Sequence, residues 1–429
     1  MLTTRQDCQR LDDEDPLAAL RELFAMPAGV LYFDGNSLGA RPAATAARVQ
    51  QVVAAEWGQE LVRGWNTAGW IDLPQRVGDK IARLVGASAG ELVVADSTSV
   101  NLFKVMSVAL DFARTDAPGR NVILSERHNF PTDLYIAESL ARERGLELQL
   151  VDSGEIRAHL TDRVAVLMLT HVNYRDGRMH AMAEINRVAH AAGVLVVWDL
   201  AHSAGAVPVD LKAGGRRDEA ADFAVGCGYK YLNGGPGAPA FVWAHPAHTA
   251  RMDAQQLGQP LSGWLGHAAP FAFAPDYRPG VGVARFICGT PPIISLAALE
   301  CGVDTLLAAE ALGGLPALRR KSLALSELFI LLVDERCHCR DLMLRAPRDP
   351  GVRGSQVSYA HAGGAGAIMQ ALIARNVIGD FRAPDVLRFG ITPLYMRYTD
   401  VWDAVEHLRQ VLDSGEWGAD RFSRLKAVT

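Results

Sequence analysis

Short apolar runs alternate with stretches of helical periodicity over most of the chain. The runs VIL at 122–124 and VLVVW at 194–198 are continuous and short, the pattern of strands buried on both faces. Upstream, Leu102, Val105, Met106 and Ala109 recur at the spacing of one helix face. From about 65 to 284 this alternation predicts a mostly parallel sheet flanked by helices. A helix is also predicted over 42–57. Past Pro291 the pattern changes to long helical stretches over 295–309 and 317–334 and a strand-like piece at 356–361. The glycine-rich HAGGAGA (361–367) then reads as a strand-to-helix turn. A large α/β domain followed by a smaller α+β domain is the expected architecture.

At 429 residues and 46.3 kDa the chain exceeds one simple domain, and 49% apolar residues supply a substantial core. A net charge of −5 without a long basic tract argues against a nucleic-acid partner. The longest apolar runs, such as VLVVW and LFILLV, are too short to span a bilayer, so no membrane association is expected. The opening MLTTRQDCQRLDDEDP lacks the apolar stretch of a signal peptide, and a cytoplasmic location is the expectation. Cys8, Cys227, Cys288, Cys301, Cys337 and Cys339 have no disulfide-framework spacing and read as reduced thiols. The CHC at 337–339 has no second ligand pair at zinc-site spacing, so no metal is expected.

One lysine stands out chemically. FAVGCGYKYLNGGPG places Lys230 between an apolar strand and a glycine-rich turn, where desolvation favours the neutral amine that a Schiff base with an aldehyde cofactor requires. Pyridoxal phosphate is the candidate aldehyde. It needs an acid for its ring nitrogen, and the 194–198 strand delivers Asp199 at its carboxyl end, with His202 three residues on. A strand-end Asp that caps the next helix is the alternative reading of that position. The phosphate needs donors, and Asp96, Ser97, Thr98 and Ser99 precede a helical pattern, where first-turn N–H groups and hydroxyls attract anions. A plain N-cap explains the same residues. After the 122–124 strand a turn carries His128, Phe130 and Asp133, and Phe130 could face the ring.

Together these residues resemble the kynureninases, members of the aspartate-aminotransferase-like (fold type I) pyridoxal-phosphate enzymes. The likeness rests on DGNSLGARP (34–42), DSTSVNLFK (96–104), FPTD (130–133), WDLAHSAG (198–205), GYKYLNGGPG (228–237), GWLGH (263–267), GTPPI (289–293) and LRFGITPLY (387–395). The Asp and Lys alone would fit many enzymes of that fold. GNSLG, the tyrosine before the lysine and GWLGH are what resemble kynureninase in particular.

The resemblance implies a role for each matching residue. Lys230 would be the Schiff-base lysine, with Asp199 and His202 on the ring-nitrogen side, Phe130 stacked on the ring and Asp133 near its edge. Thr98, Ser99 and Tyr229 would hold the phosphate, Thr170 and Thr290 would line the cofactor pocket, and Trp264 would arrive from the partner subunit of a homodimer. Arg388 would pair with the substrate α-carboxylate, and a planar guanidinium suits that task. Asn36, Ser37, Trp65 and Thr290 would contact the substrate. Trp65 and Thr290, where members favouring the 3-hydroxylated substrate tend to have His and Asn, imply a preference for L-kynurenine. The implied reaction is hydrolytic Cβ–Cγ cleavage to anthranilate and L-alanine, with Tyr229 as a second acid–base group of lowered pKa. In the related fold the small domain is discontinuous, which implies 61–291 as the cofactor domain and 1–60 with 292–429 as the smaller one.

Three rival readings differ in the residues they require. A cysteine desulfurase or class V aminotransferase would share the fold, but no cysteine lies in the small, polar loop that a desulfurase needs in its C-terminal half. A non-catalytic scaffold would have lost Lys230, Asp199 or Arg388, and all three are present. A dinucleotide-binding protein would carry a G-x-G-x-x-G after its first strand, and none occurs there.

Overall fold

The computed structural model describes residues 3–338 and 341–423, so Cys339 lies outside the described residues. Thirteen strands follow in chain order: β1 (Leu31–Tyr32), β2 (Leu92–Val94), β3 (Val122–Glu126), β4 (Glu147–Val151), β5 (Val164–Thr170), β6 (Leu195–Asp199), β7 (Phe223–Gly226), β8 (Phe241–Ala244), β9 (Leu342–Leu344), β10 (Gln356–His361), β11 (Val377–Ile378), β12 (Asp380–Arg382) and β13 (Val386–Gly390). Strands β2 to β8 form one sheet in the order β2-β8-β7-β6-β5-β3-β4. Its pairings from β7 to β4 are parallel and β8 runs antiparallel to both of its neighbours, so the sheet is mostly parallel.

The apolar runs become strands because both of their faces are covered. Within β6, Val196 and Trp198 enter one core cluster while Val197 enters the other, as the two-residue period of a strand requires. The second cluster is closed by helix Thr98–Asp116, which buries Leu102, Val105, Met106 and Ala109 on the sheet. Full burial of one such side chain contributes about 1.5–3 kcal/mol.

The direction of chain travel reverses beside β3. The chain leaves β3 for β4 on one side and returns to β5 on the other. Such a switch point opens a crevice outside the carboxyl ends of the strands, where open α/β sheets bind ligands.

Strands β9, β10, β12 and β13 form a separate antiparallel sheet in the order β12-β13-β10-β9. The early strand β1 pairs in parallel with β11, and the Phe33 carbonyl accepts from Gly390 N, so the N-terminal segment is stitched to the C-terminal part. The helix predicted over 42–57 starts later, at Thr45, because Pro42 is held in a bridge to Phe24; its second half, Val52–Trp57, is wound as a π-helix. The helix predicted over 295–309 is Ile293–Leu307, and that predicted over 317–334 is Gly314–Arg336.

Candidate active site

Four neighbouring strands deliver side chains to one cavity at their carboxyl ends. The turn after β3 supplies Phe130, β5 ends in Thr170, β6 ends in Asp199, and the segment after β7 carries Tyr229 and Lys230. The start of helix Thr98–Asp116 closes another side with Ser97, Thr98 and Ser99, and Thr290 lies across from it. The cavity measures about 450 Å³.

Lys230 Nζ donates to His202 Nε2 at 2.8 Å. It lies 5.8 Å from the ring centroids of both Phe130 and Tyr229. Burial, with the Lys230, Arg388 and Arg382 charges behind it, holds the His202 imidazole well below its ordinary pKa, so the ring is neutral. With Nε2 accepting, its hydrogen sits on Nδ1, which is buried without a partner among the described residues. That is a polar atom in want of a ligand.

Asp133 and Asp199 form a buried acid pair. Burial raises both, and Asp133, which also faces the Asp199 charge, is pushed well above the carboxylate range. Asp199 Oδ1 also accepts from Ala201 N at 2.8 Å, which closes a turn at the strand end rather than capping a helix, since the next helical residues come only at Ala213. Thr170 Oγ1 donates to Asn129 Oδ1, and Asn129 Oδ1 also accepts from Phe130 N at 2.7 Å, which fixes the direction of the Phe130 turn. Pro131 opens the following helix, Pro131–Arg144, where its fixed φ is compatible with a first turn.

The hydroxyl cluster divides its work. Ser97 is the N-cap, accepting from Val100 N at 3.3 Å, while Thr98 and Ser99 are the first helical residues rather than residues preceding the helix. The cap spends one hydroxyl, and the two others face the cavity wall at the positive end of a 19-residue helix.

Tyr229 corrects an expectation. Burial first, then the neighbouring Cys227 and Asp199, push its phenol above the usual value instead of lowering it, so the group holds its proton and serves as a donor.

Five residues expected at the site lie outside this cavity wall. Arg388, on β13, is buried; Asp380, its cross-strand partner on β12, takes its Nε and Nη2, and Ser37 Oγ accepts from Nη2 at 3.0 Å. Arg388 meets the cavity only through Nη1, which donates to the carbonyl of Tyr174, a wall residue. Asn36 is fully buried with both amide atoms unpartnered among the described residues. Trp65 packs edge-on against Trp70, 6.0 Å between centroids, in a separate apolar cluster. Trp264 lines a different, shallower pocket with His267 and Phe273 and is 37% exposed.

Sequence reasoning missed Tyr174, whose ring meets Phe130 edge-on at 5.3 Å, and also Asn129 and Asp380. Asn129 adjoins a quoted motif. The pairing of Asp380 with Arg388 depends on strand register, which no sequence spacing reveals.

The Arg388 cluster yields a pH prediction. Burial and the Asp380 charge raise the Asp34 carboxyl from 3.8 to about 7, against the opposing pull of Ser37, Arg388 and Arg382. A carboxyl raised in the folded state contributes most below its unfolded pKa, and that contribution is lost as pH rises through about 7. Asp34→Asn is therefore expected to raise Tm by about 2–4 °C near pH 8 and to change it little near pH 4. Calorimetry across that range checks this, and an equal shift at both ends would contradict it.

Among the described residues no group of acidic, histidine or cysteine side chains could hold a metal ion, and no helix is long and apolar enough to cross a membrane. The described cysteines Cys8, Cys227, Cys288, Cys301 and Cys337 are unpaired.

Comparison with known proteins places this geometry. A cysteine desulfurase from Thermococcus onnurineus NA1 superposes with a TM-score of 0.75 at 18% identity, covering 92% of this chain and 98% of its own. The C-DES mutant with glycine covalently linked to its PLP cofactor superposes at 0.73 and 17% identity, covering 91% and 98%. At such identities the likeness is one of fold. A family model described as the kynureninase C-terminal domain matches residues 318–408. Curated kynureninases from Burkholderia pseudomallei (strain K96243) and from Pseudomonas fluorescens are each 53% identical over 431 residues, covering all of both chains. Fold alone leaves a desulfurase open, but identity at that level from end to end decides between the readings: this chain belongs to the kynureninase family.

Proposed function

We propose that the protein is a pyridoxal 5′-phosphate-dependent kynureninase that hydrolyses L-kynurenine to anthranilate and L-alanine. The observation that carries the reading is the meeting of Lys230, the Asp133–Asp199 pair and the hydroxyl-lined helix start in one cavity, in a chain of that family.

The residues present fit the cofactor. Lys230 Nζ would hold it covalently, Asp199 Oδ2 would keep a proton on its ring nitrogen, the unpartnered His202 Nδ1 would find an acceptor, and Phe130 would cover its ring. Thr98, Ser99 and the first-turn N–H groups, with the Tyr229 hydroxyl, would bind its phosphate. When bound, pyridoxal 5′-phosphate supplies an aldehyde that condenses with amines and a conjugated ring that accepts electron density from the substrate Cα.

The protein's own part is positioning and proton transfer. Lys230 takes the Cα proton and returns it. Arg388, steadied by Asp380 and Ser37, orients the α-carboxylate from the Tyr174 side, and Asn36 lies beside that cluster. Water adds to the γ-carbonyl of the substrate, and collapse of the hydrate breaks the Cβ–Cγ bond. The protonated Tyr229 phenol is the donor for that stage, since its raised pKa keeps the hydrogen in place.

In this reading 61–291 is the cofactor domain and 1–60 with 292–429 the smaller one, supported by the β1–β11 pairing. The enzyme works as a homodimer in the cytoplasm. Trp264, with the exposed Phe271 and Phe273 beside it, reaches the partner's site.

Preference for L-kynurenine over the 3-hydroxylated compound rests on Thr290, whose wall position offers no amide to the extra hydroxyl. Competition between the two substrates on the pyridoxal-phosphate-loaded protein tests the function. A larger kcat/KM for L-kynurenine is expected, and Thr290→Asn should move the ratio roughly tenfold toward the hydroxylated substrate. Absence of both products would overturn the reaction, and a wild-type preference for the hydroxylated substrate would overturn the specificity.

A further inference from the structure

Lys104 is a fully buried lysine for which the reaction above has no use. It lies in the second turn of helix Thr98–Asp116. Side chains on a helix lean toward its N-terminus, and this one runs back to the end that faces the cavity. There Nζ donates to Asp96 Oδ2 at 2.5 Å, to Asn101 Oδ1 at 3.3 Å and to the Phe286 carbonyl at 2.5 Å. These three acceptors use all three ammonium hydrogens.

Two of the acceptors tie together segments far apart in sequence that meet at the cavity. Asp96 is a wall residue that opens the turn 96–99, and its φ of +44° is left-handed, a conformation that non-glycine residues rarely keep without a tether. Phe286 leads directly into Ile287, Cys288, Gly289 and Thr290, which line the cavity as well. A buried ammonium is costly unless every hydrogen is satisfied, so its position is fixed by both segments and in turn fixes them. Asn101 reinforces the same turn, its Nδ2 donating to the Ala95 carbonyl at 2.6 Å.

We propose that Lys104 is a positioning residue that locks the anion-binding turn 96–99 against the wall 287–290 and so sets the affinity for the phosphate of the cofactor. The inference rests on the functional reading above, which supplies the phosphate.

Titration of the apo-protein with pyridoxal 5′-phosphate and, separately, with pyridoxal, followed by absorbance, tests it. In Lys104→Met the affinity for pyridoxal 5′-phosphate should fall about tenfold or more while that for pyridoxal stays within about twofold. An unchanged ratio of the two affinities, including an equal loss of both, would mean a merely structural ion pair and overturn the proposal. Should Lys104→Met fail to fold by circular dichroism, Asp96→Ala decides, because Asp96 is partly exposed and opposing expectations separate there. Removal of an acid beside the anion would by charge alone tighten phosphate binding, whereas loss of the tether weakens it. Weaker binding supports the proposal and tighter binding overturns it. Wild-type protein that takes up neither compound would overturn the functional reading as well, which distinguishes the two failures.

Discussion

Lys230→Ala is expected to lower turnover of L-kynurenine by roughly 10⁴-fold, the upper range for loss of a positioned proton-transfer group that is also the covalent attachment point. Binding of the cofactor should survive in part, because Phe130, Asp199 and the helix start at Thr98 are untouched by the change. No neighbour can substitute for the amine. His202, 2.8 Å away, is a poor base because burial, the largest cause of its lowered pKa, remains when the lysine is gone, and Tyr229 keeps its own proton. Turnover at saturating cofactor checks the prediction, and added small primary amines should restore part of the rate by supplying the missing base. Residual activity within about tenfold of wild type would contradict the assignment.

Asp199→Asn is expected to cost roughly 10³-fold in kcat, in the range seen when a preorganised charge is removed from a dry site. Asparagine keeps the shape and retains the bond from Ala201 N, so the change isolates the charge. Asp199, at the carboxyl end of β6, is the carboxyl group assigned to the ring nitrogen, and an amide cannot keep that nitrogen protonated. Rate measurements at saturating cofactor, with circular dichroism to establish the fold, give the answer. A fall of less than about tenfold would place the electron sink under other control.

Much of this arrangement was legible in the sequence because it is local. A continuous apolar run with Asp199 at its end, a hydroxyl cluster before a helical pattern, and a lysine before a glycine-rich turn each lie within a few residues of chain, and strand order does not alter their chemistry. The mostly parallel sheet followed from the same alternation. What stayed hidden depends on contacts across the fold. Arg388 read as a free carboxylate receptor, yet its cross-strand neighbour Asp380 occupies two of its nitrogens, a consequence of β12–β13 register. Tyr229 read as an activated phenol because it adjoins Lys230, but burial among carboxyl groups moves it the other way. Lys104 read as one letter of a motif until its three acceptors, one of them 182 residues away, were seen together.

The most direct test of the central claim is the fluorescence of anthranilate released when the purified, pyridoxal-phosphate-loaded protein is mixed with L-kynurenine. Steady release with an equal amount of L-alanine, dependent on the cofactor, is expected. A protein that binds the cofactor yet releases no anthranilate, or that hands the amino group to a keto acid instead, would contradict it.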